Sequence, residues 1–167
     1  ELKEYSASAQ AYEKLSEMNP ATPWIRTMGE REYAMGDWFY ERAKTQWELT
    51  GDGSRHQALT LYEKGLIHYP AADRAPVVLF RSGEIHLREE EHILAEDAFR
   101  RLAEDYPQSP LASHAEYFRA LALLGGWQGP NYDATPALDA LNRLEQYRIK
   151  FPRGAEIVEV EEKRRAA

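Results

Sequence analysis

The chain has 167 residues, no cysteine and a formal charge of −7, so disulfides, thiol catalysis and Cys-ligated zinc are ruled out. Hydrophobic residues make up 43% and charged residues 29%, the balance of a globular chain of one-domain length rather than a disordered one. The acidity is spread evenly and the longest basic run, Lys163-Arg164-Arg165, follows Glu159, Glu161 and Glu162, so nothing offers phosphates the basic face that nucleic-acid binding needs.

In chain order, residues 4–18 read as a helix and 23–49 as a long helix with a candidate bend at Gly29 or Gly36. Gly51-Asp52-Gly53 reads as a turn. Helices follow over 55–68, 74–89, 93–105, 110–124, 136–150 and 155–165. No segment of useful length alternates with period two, so no strand is expected. The longest apolar run, Ala120 to Leu124, falls far short of the ~20 residues that cross a bilayer.

Four of these segments align on a proline: Pro20, Pro70, Pro107 and Pro152. Twelve residues before each stands a small residue (Ser8, Ala58, Ala95, Ala140). Eight before each stands a large one (Tyr12, Tyr62, Phe99, Leu144). Small and large residues four apart share one helix face, the first letting a neighbouring helix approach and the second filling the groove one turn on. Proline then ends the helix and biases the residue before it away from the helical region. By the same register Tyr62, Tyr69, Phe99, Tyr106 and Phe151 are candidate core. Thr22-Pro23, Ser109-Pro110 and Thr135-Pro136 each pair a capping hydroxyl with a proline suited to the first helical position. The anchors lie 50, 37 and 45 residues apart; the surplus over a period of about 34 falls on inserted segments, the second including 125–133.

The small–aromatic–proline pattern is similar to the tetratricopeptide consensus, and Gly83 matches the small residue of that consensus's first helix. Over 54–153 the resemblance narrows. Tyr106-Pro107-Gln108-Ser109-Pro110-Leu111-Ala112, then Ala115 and Ala120, then Tyr132-Asp133 leading into Thr135, Ala137, Ala140 and Phe151-Pro152, resembles the BamD family of outer-membrane assembly lipoproteins. Asp133 fits the Asp that members carry before this helix; Ala134 stands where many have Gln, and the lipidated Cys is absent here. The resemblance implies an all-α, tetratricopeptide-like solenoid of antiparallel helix pairs. It would be one domain over 1–167, irregular over 1–53 and more regular over 54–167, and a fragment of a longer chain with a lipid anchor upstream. It further implies a periplasmic protein-binding scaffold at the outer membrane, with barrel-assembly components as partners. A TolA-binding type of adaptor and a non-catalytic appendage of a larger envelope enzyme are the alternatives.

Chemistry-bearing motifs are scarce. His56, His68, His86, His92 and His114 form no HExxH pattern, and no metal site or cofactor is expected. Gly125-Gly126-Trp127-Gln128-Gly129 lacks the Lys-Ser/Thr of a phosphate loop. Glu84 with Glu91, or Asp133 with Asp139, are carboxylate pairs that spacing alone does not bring together, and no enzyme is expected. Candidate partner-binding residues are Phe80, Arg81, Glu84 and Arg88, on the helix that lines the concave surface in tetratricopeptide proteins, and Trp127, Tyr132 and Asp133 in the inserted segment. Phe80 reads as core ahead of interface, Trp127 as either a plug between helices or a docking side chain, and Asp133 also as a helix cap.

Overall fold

Helices in the computed structural model stop where the prolines demand. The structure describes residue 14 and residues 23–45, 53–129 and 131–150. It contains α1 (Ile25–Thr45), α2 (Ser54–His68), α3 (Ala75–Arg88), α4 (His92–Asp105), α5 (Ala112–Gly126) and α6 (Thr135–Lys150). The fold is all-α, and sequence-adjacent helices pack on one another: α1 on α2, α4 on α5 and α5 on α6. Apart from residue 14, the expected helix over 4–18, with Ser8 and Tyr12, lies outside the described residues, as do the expected helix over 155–165, Pro20, Pro152, Phe151 and residues 46–52. None of the described helices is long and apolar enough to cross a membrane.

The register read from the prolines is the register of the core. Ala58, Ala95 and Ala140 are fully buried, and so are Tyr62, Phe99 and Leu144 four residues on. Each such large side chain contributes roughly 1.5–3 kcal/mol by leaving water. Helices α2 and α4 end in the same way. Tyr69 and Tyr106 take up similar non-helical cap conformations, φ −143°, ψ 68° and φ −128°, ψ 55°, as a residue before proline should.

The connections that follow repeat bond for bond. Tyr69 N–H donates to Gly65 O, Ala72 N–H to Tyr69 O, Ala75 N–H to Ala72 O and Val78 N–H to Arg74 O. Thirty-seven positions later, Tyr106 donates to Leu102, Ser109 to Tyr106, Ala112 to Ser109 and Ala115 to Leu111, all at 2.8–3.2 Å. Tyr69 and Tyr106 themselves are half-buried rather than core. Sitting at the cap, outside the helical stripe, their rings reach only the rim of the packing. Helix α5 opens at Ala112, two residues after the expected start. The tight turn from Ser109 to Ala112 comes first, with Ser109 Oγ accepting from Leu111 N–H at 3.2 Å.

The described residues form two compact units that divide between Val78 and Leu79. In the first, α1 and α2 interlock through two tyrosines and two glycines. A Cβ on Gly36 would lie 2.5 Å from the Tyr62 ring, and a Cβ on Gly65 would lie 2.5 Å from the Tyr33 ring. The absence of Cβ is what lets each ring lie against the opposite backbone. Gly36 and Gly29 are thus close-contact points in an unbroken helix. Both hydroxyls find partners, as buried polar atoms must: Tyr62 donates to Asp37 at 2.8 Å, and Tyr33 donates to the carbonyl of Tyr69 at 2.9 Å. Arg74 also pairs with Asp37, and His68 Nδ1 lies 2.7 Å from Glu32 Oε2.

The second unit is built on aromatic packing. Phe80, Phe99 and Phe118 are in mutual contact, with ring centroids 5.2–5.6 Å apart, and Gly83 lies at the edge of the Phe99 ring. Tyr117, Ala120, Ala140, Leu144 and Tyr147 close the α5–α6 layer. Helix α5 runs on through Gly125 and Gly126, two residues beyond its expected end. The His92 ring covers that last turn, and a Cβ on Gly125 would meet the imidazole at 2.5 Å. The glycines expected in the inserted loop therefore belong to a helix–helix contact. The turn from α3 to α4 is closed by Glu91 N–H to His86 O (2.9 Å) and Glu90 N–H to Leu87 O (3.2 Å). This bond pair places Glu90 at the left-handed position that helix ends reserve for glycine, with φ 59°.

Candidate interaction surfaces

The candidate residues fall on two elements. Phe80, Arg81, Glu84 and Arg88 all belong to α3, where spacings of four put Phe80, Glu84 and Arg88 on one face. Phe80 is half-buried and meets Phe99 and Phe118 edge to face, so most of its ring serves packing. Arg81 and Glu84 are half-buried and Arg88 is exposed.

Trp127, Tyr132 and Asp133 lie in the connection from α5 to α6. Trp127 caps α5 in extended conformation, φ −76°, ψ 128°. Its indole nitrogen is buried with no hydrogen-bond partner among the described residues. Tyr132 is 61% exposed. Gly129, at φ 106°, turns the chain between them in a way that only glycine adopts without strain. Asp133 caps the next helix: its Oδ1 accepts from Thr135 N–H at 2.9 Å and from the Thr135 hydroxyl at 2.7 Å. The Thr135 hydroxyl and then its backbone N–H hold the Asp133 carboxyl below the usual carboxylate range. The capping role expected of Thr135 therefore belongs to Asp133, with Thr135 as its donor.

Beside α5 and α6 runs an open groove of about 680 Å³, lined by residues that include Ser113, Asn142, Gln146 and Tyr147. Arg143 crosses it, donating to Asp139 at 2.9 Å along α6 and to Glu116 at 2.6 Å on α5. Burial alone lowers the Arg143 pKa, but Asp139 and Glu116 outweigh it and the guanidinium ends above its ordinary value. An ion-pair bridge between the two helices thus lines the groove. A parallel bridge joins α4 to α5, with Arg119 donating to Glu96 at 2.5 Å.

The carboxylates offered as acid/base pairs have other partners. Glu91 meets His86 at 2.7 Å, Asp133 holds Thr135 and Asp139 holds Arg143. Among the described residues no group of three or more His, Asp and Glu side chains is arranged to hold a metal ion.

Ile93 and Leu94 are among the exposed apolar side chains that the sequence did not single out. Ile93 is 84% and Leu94 50% exposed at the start of α4. The signal was present: the buried stripe of α4 is Ala95, Ala98, Phe99 and Leu102. Ile93 stands four residues before Asp97, on the opposite, charged side. Compared with known proteins, the chain matches no family model and no curated protein.

Proposed function

We propose that this chain is a bacterial envelope scaffold for protein–protein interaction, of the BamD type, working at the periplasmic face of the outer membrane and catalysing no reaction. Its support is the Tyr-Pro-x-Ser-x-x-Ala connection shared with that family, together with what that connection builds. The hydrogen bonds over 106–112 recur over 69–75, so the same turn chemistry follows both α2 and α4. Large apolar residues beyond the core register, Tyr132, Leu138 and Ile149, are 60–62% exposed. A helical array with a fixed core and apolar outer side chains is suited to docking a partner helix or an extended segment. The groove bridged by Arg143 offers amide and hydroxyl side chains beside the exposed Ile149 for such a segment.

The reading is tested by placing a photo-crosslinking amino acid at Tyr132 and, separately, at Leu138 in the bacterial periplasm, then identifying adducts by mass spectrometry. Barrel-assembly components are the expected adducts. A chain that crosslinks to no protein from either position contradicts the scaffold reading.

A further inference from the structure

The α3–α4 turn combines three features. Ile93 is the most exposed large hydrophobic residue among those described, and Leu94 stands beside it half in solvent. Glu89, Glu90 and Glu91 immediately before them are all exposed. Glu90, Glu91, Ile93 and Leu94 share a shallow cleft of about 270 Å³ with His92 and Gly126. His92 and Gly126, which line the cleft, pack closely, since a Cβ on Gly126 would lie 3.2 Å from that of His92.

The local fold does not require this composition. Glu90 occupies a left-handed position that a glycine would fill at lower cost. Ile93 contributes little to the core, since the residues that pack are Ala95, Ala98, Phe99 and Leu102. An apolar pair in water beside a concentrated negative charge is a combination that a complementary surface relieves. Apolar side chains would cover Ile93 and Leu94, and cations would face the net negative run, in which Glu91 already meets His86 at 2.7 Å.

We propose that residues 89–94 are a docking surface for a partner segment that presents apolar side chains bordered by Lys or Arg. Charge complementarity selects this occupant. The run from Arg88 to Leu94 carries three carboxylates against one guanidinium, so an acidic segment is repelled and a basic one steered in. The proposal rests on the scaffold reading and names one surface and its partner's chemistry.

The test uses fluorescent amphipathic peptides of identical pattern, one built from Leu and Lys and the other from Leu and Glu, titrated against the full chain and followed by anisotropy. The Leu/Lys peptide is expected to bind saturably and the Leu/Glu peptide not to bind. The affinity is expected to fall about tenfold or more in Ile93→Ser with Leu94→Ser. Glu89→Gln with Glu90→Gln is expected to weaken binding and flatten its salt dependence. Ile67→Ser, at an exposed apolar position on α2, is expected to bind as the parent does. Circular dichroism verifies that each variant is folded.

No saturable binding of the Leu/Lys peptide overturns the proposal, as does binding that Ile93→Ser with Leu94→Ser leaves unchanged. Self-association that Ile93→Ser abolishes in the ultracentrifuge also overturns it, because the occupant is then a second copy. Adducts from a crosslinker at Tyr132 or Leu138, with none from Ile93, sink this surface while the scaffold reading stands.

Discussion

Gly83→Ala measures the closest helix–helix approach in the second unit. On an exposed helix, replacing glycine by alanine stabilises by about 1 kcal/mol through propensity. At Gly83 the new Cβ would lie 2.5 Å from Phe99 Cζ, 2.6 Å from Cε1 and 2.7 Å from Cε2. Carbon atoms pack best at about 3.5–4.0 Å, so the ring would have to retreat by roughly 1 Å. It cannot do so cheaply: Phe99 is fully buried and packed against both Phe80 and Phe118. Overpacking of this kind costs about 1–3 kcal/mol, which cancels or exceeds the propensity gain. We expect a net loss of about 1 kcal/mol, read from urea unfolding by far-UV circular dichroism with the slope unchanged. In a Phe99→Leu background the same substitution should become neutral or stabilising, a coupling of about 1–3 kcal/mol. If Gly83→Ala stabilises the parent chain as it would a surface helix, the α3–α4 contact described here is wrong.

Glu90→Gly should stabilise the chain by about 0.5–1 kcal/mol, because a left-handed backbone costs an L-residue about 1–2 kcal/mol and glycine returns part of that as chain entropy. A thermal melt that shows no gain contradicts the turn geometry. Arg143→Met removes the bridge from Glu116 to Asp139. It should cost about 1 kcal/mol at low salt and less at high salt, since all three groups are partly exposed; a cost independent of salt argues against the bridge. For Asp133, the folded-state carboxyl titrates below its ordinary value. Its stabilising effect is therefore full above about pH 4 and lost as the pH falls through the lowered value. The parent should melt above Asp133→Asn at neutral pH and converge with it in acid, and a gap that persists below that range counts against the cap.

Helix ends and core register were legible from the sequence because proline acts locally. It cannot continue a helix, and it restricts the residue before it whatever surrounds them. Accordingly α2 and α4 end two residues ahead of Pro70 and Pro107, and the residues twelve and eight positions before Pro70, Pro107 and Pro152 are buried. Helix starts were less legible. Ser109-Pro110 reads as a cap and first turn, but the chain spends those residues on a tight turn before Ala112. Gly125-Gly126 reads as a loop, and only the approach of His92 from another helix explains why it stays helical. Tyr69 and Tyr106 read as core because they are aromatic and in register, while their cap conformation turns them to the rim.

The candidate surfaces were half legible. Asp133 as a cap follows from local chemistry. Phe80 joins an aromatic cluster whose other members come from α4 and α5, which no local pattern reveals. The exposed Ile93 was visible as an apolar residue out of phase with the buried stripe of α4. The left-handed Glu90 was not, since glutamate carries no propensity for that conformation.

The packing of α4 on α5 underlies the aromatic cluster and the cleft at Ile93, and it is open to direct measurement. The chain has no cysteine, so a single engineered pair can be read without background. A Cβ on Gly126 would lie 3.2 Å from that of His92, close to the roughly 3.5–4.5 Å span of a disulfide. His92→Cys with Gly126→Cys should therefore form an intramolecular disulfide readily under mild oxidation, seen as a mobility shift reversed by reductant. A pair that stays reduced, or links only between molecules, would contradict the packing of α4 on α5 and the scaffold built from it.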